Sequence, residues 1–119
     1  MATTPSQLHL TIYQGATFTR VLSLKDAVGA SINLTGATVR MQIRETMEST
    51  TVLIELNAQN QRALVTSPSS GEITLSISAA DTAALSFVAG VYDLEITYQD
   101  GTVDRLLYGK VVLSPEVTR

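Results

Sequence analysis

Gly90-Val91-Tyr92-Asp93-Leu94-Glu95-Ile96-Thr97-Tyr98, then Gln99-Asp100-Gly101-Thr102, then Val103-Asp104-Arg105-Leu106-Leu107-Tyr108-Gly109-Lys110-Val111-Val112-Leu113 is the stretch on which the fold turns. In its first part Tyr92, Leu94, Ile96 and Tyr98 alternate with Val91, Asp93, Glu95 and Thr97, the period of two that puts one face of a strand against a core. Asp100-Gly101 is the signature of a tight hairpin, because glycine adopts the positive φ that such turns demand. Val103 to Leu113 then returns as a long strand. Leu106 and Leu107 are adjacent and apolar, so they point to opposite faces unless a bulge intervenes. Opposite faces imply a strand covered on both sides, either by a partner subunit or by a loop of the same chain.

Earlier in the chain, Val39, Met41 and Ile43 alternate with Thr38, Arg40, Gln42 and Arg44, and Ile73, Leu75 and Ile77 with Glu72, Thr74 and Ser76. Each pattern predicts a half-buried strand. Leu8, Leu10 and Ile12 share a face opposite His9, Thr11 and Tyr13. Between Ala16 and Leu24 the apolar side holds Phe18, Leu22 and Leu24 with Arg20 interrupting them, which suggests a bulge or shift near Arg20 and Val21. Ile32 and Leu34 resume the alternation. Shorter strands are expected around Val52 to Leu56 and Ala63 to Val65, with an exposed loop over Glu45 to Thr51 and another over Thr66 to Gly71. Ser78 to Leu85 is the one helix candidate. Ser78 can cap it and Asp81 can reach back, and Leu85 and Phe87 plug the end of the core as the chain crosses between layers.

Eight or nine strands at roughly ten-residue spacing and one short helix predict an all-β fold, an immunoglobulin-like antiparallel β-sandwich with one short crossover helix. The 119 residues suffice for one domain, 1–119, with 1–7 and 114–119 expected as extended arms. Charged residues are only 16% and apolar ones 45%, with mean hydropathy +0.19, so the chain is a folded one rather than a disordered tail. No apolar run reaches the ~20 residues of a membrane helix, and Met1 to Gln7 lacks the basic start and apolar stretch of a secretory signal. Cytoplasmic synthesis and no membrane partner are the expectation.

Eight Lys and Arg against eleven Asp and Glu give a net charge of −3, which disfavours a phosphate backbone as partner, so no nucleic acid is expected. Arg40 and Arg44 read as a solvated strand face. Without cysteine there is no thiolate nucleophile or zinc knuckle. His9 is the only histidine and alternates outward, with no Gly-x-Ser-x-Gly elbow to complete a triad. Asp93 and Glu95 share a strand face about 7 Å apart, yet no apolar pocket is evident around them to tune them for acid–base work. No catalytic, cofactor-binding or metal-ligating residue emerges and no cofactor is implied; the expectation is a protein without enzymatic activity.

Three stretches in order carry a resemblance: Leu10-Thr11-Ile12-Tyr13-Gln14-Gly15; Asn33-Leu34-Thr35-Gly36-Ala37-Thr38-Val39-Arg40-Met41-Gln42-Ile43-Arg44; and Ala89-Gly90-Val91-Tyr92-Asp93-Leu94-Glu95-Ile96, running through Asp100-Gly101 to Gly109-Lys110-Val111-Val112-Leu113-Ser114-Pro115-Glu116-Val117-Thr118-Arg119. Their order and spacing resemble small tail and structural proteins of tailed bacteriophages and prophages, and the N-terminal β-sandwich domain of phage upper baseplate proteins. The resemblance implies a virion structural protein, a tail or baseplate adaptor that joins other virion proteins and forms a homo-oligomer in the particle. A capsid decoration protein and a carbohydrate- or host-surface-binding sandwich are the alternatives, the latter needing Tyr13 and Tyr108 as exposed aromatic platforms. A small hydrolase would need a convergent acid–base site. For an assembly part, the contact elements expected are the outer side of Val103 to Leu113 and the two terminal arms.

Overall fold

Alternation of Val, Ile and Leu against Thr, Ser and charged residues is realised as nine strands and one short α-helix in the computed structural model, which describes residues 5–118. The order is β1 (Ser6–Gln7), β2 (Leu10–Tyr13), β3 (Phe18–Ser23), β4 (Thr38–Arg44), β5 (Ile54–Asn57), β6 (Ala63–Ser67), β7 (Glu72–Ile77), α1 (Ala79–Ala83), β8 (Ala89–Thr97) and β9 (Val103–Ser114). One sheet runs β1-β9-β8-β4-β5, with β2 also paired to β9; the other runs β3-β7-β6. The fold is therefore an all-β sandwich. Met41, Ile43, Leu56, Leu94, Ile96 and Val111 of the large sheet pack with Ile73, Leu75 and Ile77 of the small one, all essentially buried. Each such side chain contributes about 1.5–3 kcal/mol of transfer free energy.

One expected feature is corrected at the edge of the large sheet. The sandwich is not wholly antiparallel, because β1 and β2 both run parallel to β9. They are one edge strand interrupted at Leu8 and His9. Leu8 N–H still donates to the Tyr108 carbonyl at 2.8 Å, but the Leu8 carbonyl turns inward and accepts the Tyr92 hydroxyl at 2.7 Å. The Lys110 N–H that would have met that carbonyl donates instead to His9 Nδ1 at 3.0 Å. Opposite the inward carbonyl stands Gly109, where any Cβ would collide with the Leu8 backbone oxygen. Burial pushes the Tyr92 phenol up to about 12, opposed in part by the Arg20 charge.

Leu106 and Leu107 are both buried, and the reason is a bulge. Leu94 pairs with Leu107 while Glu95 pairs with Arg105, which leaves Leu106 as an extra residue in β9. Both leucines thus face the core, and neither a partner nor a loop has to cover the second one. Asp104 and Leu106 face in before the bulge; Leu107, Gly109, Val111 and Leu113 face in after it.

Other expectations change in detail. No bulge occurs near Arg20, since β3 pairs with β7 continuously from Phe18 opposite Ile77 to Ser23 opposite Glu72. Arg20 stands opposite Leu75 on the inward side of an edge strand, with its head exposed. An inward charge of this kind discourages edge-to-edge pairing. Ile32 and Leu34 form no strand: the segment makes one bridge, Lys25 with Ser31, and buried Leu34 is tied by its N–H to the Pro68 carbonyl at 2.8 Å. Helix α1 is capped as expected, with Asp81 N–H donating to Ser78 Oγ at 3.2 Å, and it leads from β7 of one sheet to β8 of the other.

The segments expected as extended arms are engaged by the chain itself over much of their described length. Ser6 and Gln7 pair with Leu107 and Tyr108, and Ser114 pairs with Tyr13. Glu116 N–H donates to the Gln14 side-chain oxygen at 3.0 Å, while the Gln14 amide donates to the Leu85 carbonyl at 2.9 Å. Beside them the buried Thr82 hydroxyl accepts Gly15 N–H at 3.0 Å and donates to the Ala16 carbonyl at 2.9 Å. Residues 1–4 and 119 lie outside the described residues. At the other end, the expected hairpin forms, with Gly101 at φ +90° and its N–H donating to the Tyr98 carbonyl at 2.9 Å.

Gly109→Ala is expected to cost about 1–3 kcal/mol or more, since backbone rather than a flexible side chain blocks the new methyl. Tyr92→Phe, which leaves the Leu8 carbonyl unpaired, should cost about 1 kcal/mol. Urea unfolding of both variants checks this, and an unchanged midpoint for Gly109→Ala would contradict the close approach.

Candidate interaction face

Strand pairing arranges the outer side of the large sheet into rows. Thr11, Val112 and Ala89 form one row; Lys110, Val91 and Arg44 the next; then Gln7, Tyr108, Asp93, Gln42 and Glu55; then Arg105, Glu95, Arg40 and Asn57. Across the middle rows runs a trough of about 930 Å³, walled by His9 and Gln7 on one side and by Thr46 and Met47 on the other, with Tyr108, Lys110, Val91 and Arg44 between and Asp93, Glu95 and Arg105 lining its hairpin end. Met47 is 81% exposed in the loop that follows β4. That loop is held by Arg44, whose guanidinium donates to the Ser49 carbonyl at 2.7 Å and to the Gln42 side-chain oxygen at 2.8 Å.

Charge is distributed unevenly over these rows. At the hairpin end it is self-neutralising: Arg40 meets Glu55 at 3.0 Å, Arg105 meets Asp93 at 3.5 Å, and Glu95 stands between Arg40 and Arg105 in the register. Glu55 accepts from Asn57 at 2.8 Å, Arg40 at 3.0 Å and Gln42 at 2.8 Å, and these donors hold its carboxyl at about 2, below the ordinary 4.5. One row further on, Lys110 and Arg44 have no carboxylate partner among the described residues. Beyond them Val112, Val88 and Tyr13 are exposed beside Thr11.

Residues weighed from sequence fall as follows. Arg40 and Arg44 do lie on one solvated strand face, each tied to neighbours on it. Asp93 and Glu95 share that face. His9 is exposed, and its Nδ1 is occupied by the Lys110 N–H. Tyr13 and Tyr108 are both exposed on the outer side of the large sheet, but Tyr13 pairs with Ser114, six positions along β9 from Tyr108. At ~3.3 Å per residue they are about 20 Å apart, too far to clasp one sugar ring. Sequence reasoning missed Met47 and the trough: a lone Met in a polar loop is the only signal, and concavity depends on how four strands twist together.

A second recess of about 400 Å³ lies between the 26–33 loop and the hairpin, lined by Asp26, Asn33, Tyr98, Asp100 and Thr102. The Tyr98 phenol is pushed up by burial and by the Asp104 carboxylate beside it. Among the described residues no cluster of three or more His, Asp or Glu has the geometry to hold a metal ion, and no helix is long and apolar enough to cross a membrane.

No family profile matches the sequence, and no curated protein matches it. Among solved structures the chain is similar to a domain described as the N-terminal domain of phage TP901-1 ORF48, with TM-score 0.58 and 11% identity over 96% of this chain and 99% of that one. It has a looser likeness to Tim-1, with TM-score 0.47 and 15% identity over 98% and 99% of the two chains. At these identities the likeness is one of fold.

The Glu55 cluster sets a pH dependence. A carboxyl whose folded pKa is depressed contributes stability that is present above its unfolded value and is lost as pH falls through the folded one. Unfolding free energy should therefore decline between about pH 4.5 and about pH 2. Glu55→Gln should flatten the decline in that window, as read by urea titrations at stepped pH.

Proposed function

We propose that the protein is a structural component of a tailed-phage virion, a tail or baseplate part that joins other virion proteins by protein–protein contacts and performs no catalysis. The observation that carries this reading is the fold likeness to the phage TP901-1 ORF48 N-terminal domain, which spans nearly the whole of both chains. Surface chemistry supports it too. Only 16% of the residues are charged, so fewer ions than usual have to be dehydrated at a subunit contact. Assembly in the host cytoplasm and residence in the particle, in several symmetry-related copies, follow from the same reading.

The two tyrosines, about 20 Å apart by strand geometry, do not favour the glycan-binding alternative. Mass spectrometry of gradient-purified particles is expected to find the protein at a fixed multiple-copy ratio to the major tail proteins. Its absence from particles that contain those proteins would overturn the structural role.

A further inference from the structure

Past the bulge, β9 presents Tyr108, Lys110 and Val112 to solvent in an i, i+2, i+4 row, with Tyr108 43% and Val112 48% exposed. β9 is hydrogen-bonded on both sides, by β8 and by β1 and β2, so no backbone edge is free there and a ligand must be read by side chains. Among the described residues Lys110 has no carboxylate partner, and Arg44, across Val91 in the same row, bonds only neutral acceptors. Two cations without a carboxylate partner among the described residues thus sit at one end of a trough whose other end is lined by the Asp93–Arg105 pair and Glu95, with exposed Tyr108 and Val112 on either side of Lys110 along β9.

We propose that this face binds an extended segment of a partner protein that carries an acidic residue between two apolar ones in the pattern apolar-x-acidic-x-apolar. Side chains on one face of an extended chain repeat every ~6.6 Å, the same repeat as Tyr108, Lys110 and Val112 along β9. A segment running along β9 therefore sets its acid over Lys110 and Arg44 and its apolar residues against Tyr108 and Val112. A helix fits less well: its residues i and i+4 are rotated about 40° apart, so it leaves a straight row after two contacts. A second copy of this chain is also disfavoured, because a two-fold contact through this patch brings Lys110 and Arg44 near their own counterparts. The pattern is read off the face alone; that its bearer is another virion protein rests on the proposed function.

The test is a nuclear magnetic resonance titration of the full chain with the peptide Thr-Leu-Ser-Glu-Thr-Val-Ser, alongside a version with Lys in place of Glu and one with Ser in place of Leu and Val. The expected result is saturable shifts at Tyr108 to Val112 and Arg44 to Met47 with the first peptide, and binding about tenfold weaker for each of the others. Lys110→Glu, an exposed change that leaves the core untouched, should reverse the preference between the Glu and Lys peptides. Several results would overturn the proposal: no saturable shift at millimolar peptide, shifts confined to another surface, an unchanged preference in Lys110→Glu, or polyglutamate or a helical peptide binding as tightly. Light scattering that finds a dimer which Lys110→Glu dissociates would assign the face to a second copy instead. Because the peptides need no particle, absence of the protein from virions would leave a positive peptide result standing.

Discussion

One extra residue in β9 governs both sides of this sandwich. Leu106 interrupts the period-two alternation, so that Asp104 and Leu106 face inward before it and Leu107, Gly109, Val111 and Leu113 face inward after it. Strict alternation from Leu106 would have turned Tyr108, Lys110 and Val112 into the core and Val111 and Leu113 out to water. A buried lysine without a partner is among the costliest defects a core can hold. The bulge thus permits a strand twelve residues long to stay in one sheet while its far half displays a mixed cationic and apolar row.

The far half of β9 also closes the fold. Its one edge pairs with β8; its other pairs with the parallel strands β1 and β2, which makes Pro5, Gln7 and His9 a rim of the trough. The rim is shaped by a single diverted carbonyl: Leu8 turns to Tyr92, Gly109 leaves room for it, and His9 supplies the acceptor that Lys110 lost. At the end of the sandwich Gln14 and Thr82 tie the β2–β3 turn, the segment after α1 and the residues after β9 together. The face proposed for partner contacts is consequently built on paired strands, the arrangement that loses least order on docking.

Strands β4, β7 and β8 were legible from residues alone, because each is half-buried and alternates without exception; so were the Asp100-Gly101 hairpin and the Ser78 cap. Ile32 and Leu34 misled for the opposite reason: their alternation is real, yet only Ser31 finds a bridging partner, and Leu34 is buried through a loop contact. The break at Leu8 and His9 left no local mark, since Leu8, Leu10 and Ile12 alternate across it and its cause, Tyr92, lies 84 positions away. The outward direction of Tyr13 and Tyr108 could be read from alternation. The isolation of Lys110 and Arg44 could not, because it depends on where Asp93, Glu95 and Ser49 sit across neighbouring strands.

The bulge is tested most directly by comparing Leu106→Ala with Leu107→Ala in equilibrium unfolding. With both side chains in the core, each substitution should cost about 2–5 kcal/mol. If Leu107→Ala fell within about 0.5 kcal/mol of the parent, as an exposed position does, β9 would alternate without interruption from Leu106 and the outward row of Tyr108, Lys110 and Val112 would lose its basis; a neutral Leu106→Ala would contradict the bulge alone.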